Sequence, residues 1–345
     1  MKRLLLALVI AWVGSAEAAE KRCPWQQDDP EDQIGATRTQ TPENVLESIK
    51  LVRTGEIIRL GHVYDEVTLG TPPFGRVFDV TIAPFSFPDE EENSQSFYSG
   101  GVVASIGQIA TQFDGLAHAG HDLGYYNCFT HEDIGPDELG RTKALGVELV
   151  KPFFTRAILL DFVNNSDVPK VDFNGQQIVE DSYTITVADV EAVLANQGVE
   201  GPGVGDVVLI HTGWDALFGI DNERHFNSPG IGSEVAWWLA ERGIAMLGTD
   251  TQHSEAAVGG RSTELLENPY LLGEEYGFIF NSAHFILITQ HGIHLLEWMR
   301  LGELAAAVKA DVGGDVNPHE FLFVFSPLPI KGLGGAPGST AMAVR

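Results

Sequence analysis

Three features of the sequence predict a mixed α/β fold. Short runs of branched and aromatic residues have strand length, helices with readable start and stop signals lie between them, and the order helix then strand recurs at 187–212 and 233–249. The strand-like runs are Val77 to Phe85, Ala157 to Val163, Val207 to Thr212, Ile244 to Gly248 and Phe321 to Phe325, each bounded by turn residues. Thr41-Pro42 ahead of Glu43 and the series Val45, Leu46, Ile49 and Leu51 predicts a capped helix with proline in its first turn, closing near Gly55. Thr186 with Asp189 three residues later is a capping-box start for a helix carrying Val190, Val193 and Leu194 and ending at Gly198. A further helix is expected from Ser233 through Val235, Trp238 and Leu239 to Gly243, and the glycine- and proline-rich stretch Gly332 to Ser339 reads as a loop.

The N-terminus is of a different kind. Lys2 and Arg3, the apolar run Leu4 to Val13, and Ala16-Glu17-Ala18 have the order of a secretory signal peptide over residues 1–18. Ten apolar residues are too few to span a bilayer, which takes about 20. The expectation is therefore export, to the periplasm or the outside, with residues 19–345 forming one domain. No repeat or low-complexity tract divides them.

Composition narrows the partners. The 345 residues carry 48 acidic against 21 basic side chains, a net charge of −27, and such a surface repels phosphate backbones and anionic headgroups. Neither nucleic acid nor membrane is expected as a partner. A glycine-rich phosphate loop after a strand and a GxSxG elbow are both absent, which removes support for nucleotide binding and serine hydrolysis. The two cysteines, Cys23 and Cys128, make no zinc ribbon; in an oxidising compartment they are free to pair, but sequence does not supply their separation.

Chemistry concentrates at histidine and carboxylate. Gln108, Gln112, Asp114 and His118 share parity, so an extended backbone would line one face with them. A carboxylate with an imidazole suits Zn²⁺, Mn²⁺ or Fe²⁺, and amide oxygens lean away from sulfur-loving ions. Taken alone, the spacing equally fits Asp114 capping a turn and His118 bonding a carbonyl. A second cluster follows at His284 and Glu297, with His291 and His294 as nearby competitors that read as ordinary surface or turn residues. Asp250, Gln252, His253 and Glu255 form a polar group after an apolar strand, among which Gln252 and His253 are possible contacts. For Trp214, Trp237 and Trp238, and for Tyr125-Tyr126-Asn127, packing competes with pocket lining.

The spacing Gln108-x-x-Thr111-Gln112-x-Asp114-x-x-x-His118 resembles the HxGTHxDxPxH motif of the cyclase family, metal-dependent hydrolases that include bacterial kynurenine formamidase and isatin hydrolase. The likeness continues in order. His211-Thr212-Gly213-Trp214 resembles the family's strand ending in TGW, Gly248-Thr249-Asp250 its GxD segment, His284 to Glu297 its HxxLL…GIxxxE signature, and Phe321 through Pro327-Leu328-Pro329 to Ser339 its closing segment. Glutamines replace two histidines at Gln108 and Gln112, Ala110 a glycine and Leu116 a proline. This Q-x-x-x-Q-x-D-x-x-x-H form resembles the longer branch of the family, closer to the zinc-dependent trans-dienelactone hydrolase.

The resemblance implies a swivelling β/β/α fold with a mixed central sheet and a homodimer or homotetramer. It implies one divalent ion, Zn²⁺ or Mn²⁺, rather than a binuclear centre, held by Asp114, His118, His284 and Glu297 with Gln112 and Gln108 in or next to the ligand set. It further implies that a metal-bound hydroxide attacks the carbonyl of a small amide, imide or lactone, with Glu297 or His284 carrying the proton to the leaving atom. The alternative expectation is a catalytically inactive small-molecule binder on the same fold.

Overall fold

The computed structural model describes residues 23–65, 78–87, 95–104, 109–264, 266–267, 278–279, 282–311 and 314–345. Residues 1–18, expected to be a signal peptide, and Gln108 lie outside them. Nine strands form the main sheet: β1 (Ile57–Arg59), β2 (Gln112–Asp114), β3 (Phe153–Asp161), β4 (Val207–His211), β5 (Met246–Thr249), β6 (His294–Glu297), β7 (Glu320–Phe325), β8 (Gly335–Pro337) and β9 (Met342–Val344). Their spatial order is β1-β9-β7-β3-β4-β5-β6-β2-β8. The four central strands β3 to β6 run parallel and the flanking ones antiparallel, so the sheet is mixed.

Parallel strands covered on both faces need continuous apolar runs, and the sequence supplies them. Val207, Val208, Leu209, Ile210, Met246 and Leu247 are all buried, within one apolar cluster that extends from Ala36 to Ala343. Helices α1 (Pro42–Ile49), α2 (Val187–Gln197), α3 (Ser233–Glu241) and α4 (Gly302–Ala310) begin where the sequence signals them for the first three. Thr41 accepts the Asn44 N–H, Thr186 and Asp189 form the reciprocal capping box, and Gly198 ends α2 in the left-handed region at φ 64°.

Three local expectations need correction. The run 77–85 becomes a strand at Phe78–Phe87, yet among the described residues it pairs with Gln95–Ala104 in a ribbon separate from the main sheet. The Gly332–Ser339 loop contains β8, which pairs with β2 along an edge left open by β6. The segment after Asp114 does not stay extended: Gly115–His118 turns, with the His118 N–H on the Gly115 carbonyl at 3.0 Å, so parity brings Gln112 and Asp114 to one face but not His118. Gly115 is required there, because a Cβ would stand 2.8 Å from the Gly334 carbonyl oxygen.

Cys23 and Cys128 form a disulfide, Cα atoms 5.6 Å apart. It pins an arm whose Trp25 donates to the Tyr125 carbonyl at 2.8 Å, while Tyr126 donates to Asp32 and Asn127 to the Asp29 and Asp32 carbonyls. The Tyr125-Tyr126-Asn127 segment thus packs the arm. Between β5 and β6 the chain forms a short helix, Ser282–His284, that continues as a π-helix over Phe285–Gln290.

Candidate metal centre

The register of β2 against β6 sets the site. Gln112 stands opposite Glu297 and Asp114 opposite Leu295, so Gln112, Asp114 and Glu297 share one face while Phe113 and His294 share the other. On the far face His294 stacks on Phe113 at 5.0 Å, and burial lowers its pKa to about 4. On the near face Gln112 donates to Glu297 Oε2 at 3.1 Å. His118 arrives by the turn, its Nδ1 3.6 Å from Asp114 Oδ1, and His284 from the helix end, its Nε2 3.8 Å from both Asp114 Oδ2 and Glu297 Oε1. Asp114, His118 and His284 together, and likewise Glu255, His284 and Glu297, present ligand atoms within 4.8 Å of one another.

Sequence reasoning brought Gln112, Asp114, His118, His284 and Glu297 to this place and missed two residues. Ser254 gives its backbone N–H and hydroxyl to Glu297 Oε1 at 2.7 and 2.8 Å, and both oxygens of Glu255 lie 3.0 Å from His284 Nδ1. They belong to the polar group after β5, in which Gln252 and His253 drew the attention; nothing in the linear pattern pairs Glu255 with a histidine 29 residues on. His291 packs edge-on against Trp237. Trp214 is core, donating to the Val179 carbonyl, and Trp238 lies under the Arg242 guanidinium.

The electrostatics are those of a cage short of positive charge. Burial opposes ionisation of Glu297, the charges of Asp114 and Glu255 add to it, and the carboxyl is pushed well above its ordinary range despite His284. Burial likewise resists charging of His284, but Glu255, Glu297 and Asp114 outweigh it and raise the imidazole to about 10. His118 is lowered by burial. Asp114 is fully buried, and neither carboxylate oxygen has a hydrogen-bond partner among the described residues. Buried carboxylate oxygens without donors are costly; a divalent cation held by this mixed nitrogen and oxygen set removes that cost, so the residues fit such an ion.

A second group, His211, Asp215 and Asp250, has similar spacing and a different state. Asp250 accepts from the Thr212 N–H and hydroxyl and from the Gly213 and Trp214 N–H groups, Asp215 accepts from the Gly302 N–H, and His211 Nδ1 faces Asp161 at 2.9 Å. Asp250 is spent on holding the Thr212-Gly213-Trp214 turn, and Asp215 and His211 have partners of their own, which accounts for the group without an ion. A cavity of about 480 Å³ lies beside Arg59, His62, Tyr64, Ser339 and Met342. It meets the site at one remove, since the His62 N–H and Tyr64 hydroxyl both bond Thr111, the neighbour of Gln112.

Comparison with known proteins identifies the family and the fold. The sequence profile of a family described as putative cyclase matches residues 58–256, more than half of the chain, including Asp114, His118, Ser254 and Glu255. No curated protein matches the chain. Among solved structures, that of a novel cyclase is 25% identical, covering 93% of this chain and 99% of its own, with a TM-score of 0.72. Isatin hydrolase A from Labrenzia aggregata, solved with benzyl benzoate, is 18% identical over 88% of this chain and 98% of its own, TM-score 0.51, a likeness of fold.

Proposed function

Since the chain belongs to the cyclase family, we propose that it is an exported metal-dependent hydrolase that opens a small amide, imide or lactone. The observation that carries the reading is Asp114, buried between His118 and His284 with neither oxygen hydrogen-bonded among the described residues. Asp114, His118, His284 and Glu297 would hold one divalent ion, Zn²⁺ or Mn²⁺. When bound, such an ion polarises a carbonyl as a Lewis acid and lowers the pKa of water towards about 7. Gln112 and Ser254 fix the Glu297 carboxylate from two sides. Of the two expected proton carriers, we favour Glu297 for delivery to the leaving nitrogen or oxygen, because Glu255 engages Nδ1 of His284 and Nε2 faces the ion site; the role is worth about 10²–10⁴ in rate. Burial of Gln112, Asp114, Ser254, His284 and Glu297, with His118 half-buried at the edge, keeps bulk water from screening these interactions. Export is supported by the residue 1–18 pattern and by the Cys23–Cys128 disulfide, a bond that persists in oxidising compartments.

The test is elemental analysis and hydrolysis of amide, imide and lactone panels by the purified protein and by Asp114→Asn. One ion per chain with turnover in the wild type, and loss of both in a folded variant, is the expected result. A fully active, metal-replete Asp114→Asn overturns the assignment. Tight ligand binding by a wild type that turns over nothing in the panel favours the small-molecule binder.

A further inference from the structure

We infer that Glu255 is a positioning residue that fixes the His284 ring so that Nε2, not Nδ1, is presented to Asp114 and Glu297. The inference rests on reading the Asp114 cluster as a cation site and adds to it a residue outside the expected ligand set. Both Glu255 oxygens lie 3.0 Å from His284 Nδ1, and Oε1 also faces the His284 backbone N–H at 3.4 Å. A carboxylate only accepts, so the nitrogen facing it carries the proton, and in the neutral ring the lone pair is left on Nε2. Nε2 is the atom 3.8 Å from Asp114 Oδ2 and 3.8 Å from Glu297 Oε1. A flip of the ring would put carbon against Glu255 and lose the contact. With only 1% of its surface exposed, Glu255 has no solvent to turn to instead.

Ser254, the preceding residue, holds Glu297 in the same manner through its N–H and hydroxyl. Two adjacent residues of one turn therefore hold the two donors that come from the far side of the sequence, one His and one Glu. A carboxylate behind a ligating histidine sets tautomer and orientation, and losing it weakens metal affinity by about 10–100-fold. Glu255 is also near enough to share an ion with His284 and Glu297, so the experiment must separate holding the ring from ligating the metal.

Zn²⁺ affinity is measured by chelator competition, and the Co²⁺ absorption spectrum at saturation is recorded, for wild type, Glu255→Ala, Glu255→Gln and Glu297→Gln. The expected result is a loss of about 10–100-fold in Glu255→Ala and a smaller loss in Glu255→Gln, whose amide oxygen still accepts from Nδ1. Both should keep the wild-type Co²⁺ spectrum, which Glu297→Gln changes. Affinity within twofold of wild type in the Glu255 variants, or a spectrum altered as in Glu297→Gln, overturns the inference while leaving the cation site standing. A wild type that binds no Zn²⁺ removes the site and the inference together. Should neither variant fold, the imidazole ¹⁵N shifts of Zn²⁺-loaded wild type, assigned against His284→Asn, decide it: Nδ1–H with ligated Nε2 is required, and ligated Nδ1 overturns it.

Discussion

His211 shows how a single buried imidazole becomes a stability device. Burial disfavours its charge, but the hydrogen bond from Nδ1 to Asp161 and the charges of Asp250, Asp161 and Asp215 more than compensate and raise it from 6.5 to about 9. A pKa raised on folding contributes stability that is complete below about 6.5 and lost as pH rises through about 9. The amount is on the order of 3 kcal/mol, from about 1.4 kcal/mol per unit. Melting curves at pH 6 and pH 9.5 should therefore show a fall for wild type that is smaller for His211→Asn, the part due to His284 remaining in both; equal falls would remove His211 as a cause. At this scale the sequence exposed Asp114, His118, His284 and Glu297, because carboxylate and imidazole in a fixed order are a chemical statement wherever they fold. It hid Glu255 and Ser254, whose roles exist only after β5 and β6 lie side by side and the turn between 250 and 255 faces the helix end at His284.

Elements were legible where local chemistry decides them. The capping box of α2 is such a case, and Thr186→Ala should cost about 1 kcal/mol, read as a lower denaturant midpoint at unchanged slope. Metal affinity should not follow, since α2 contributes no ligand; a parallel loss of affinity would tie the cap to the site. The four buried strand runs at 157–163, 207–212, 244–248 and 321–325 were equally plain from their branched residues. β8 was not, because Gly335-Ala336-Pro337 has no strand preference of its own and is held by the free edge of β2. The turn at Gly115–His118 was hidden for a related reason: only the close approach of Gly334, with its carbonyl accepting the Gly115 N–H at 2.8 Å, bends the chain there.

For the molecule as a whole, the disulfide closes a loop of 105 residues, for which chain entropy alone gives about 4–5 kcal/mol. Cys23→Ser with Cys128→Ser should lower the melting temperature and expose the arm before residue 41 to protease; unchanged melting and cleavage would show that Trp25, Gln27 and Asn127 hold the arm unaided. The expected homodimer or homotetramer is a matter for light scattering. The ribbon of Phe78–Phe87 and Gln95–Ala104 offers Val80, Ile82, Val102 and Val103 to solvent, apolar surface that a second copy would cover, and a monomeric mass at micromolar concentration ends that expectation.

The wide coil at Phe285–Gln290 leaves a lasting constraint on how this chain can vary. Removing one residue there would allow an ordinary helix, the commoner and better-packed form, yet it would also swing His284 by about 100° about the axis relative to the strand that carries Glu297. Any lineage that tightened this segment for robustness would aim its imidazole away from Asp114, so length between 284 and 294 is guarded by geometry even where the intervening side chains are free to change.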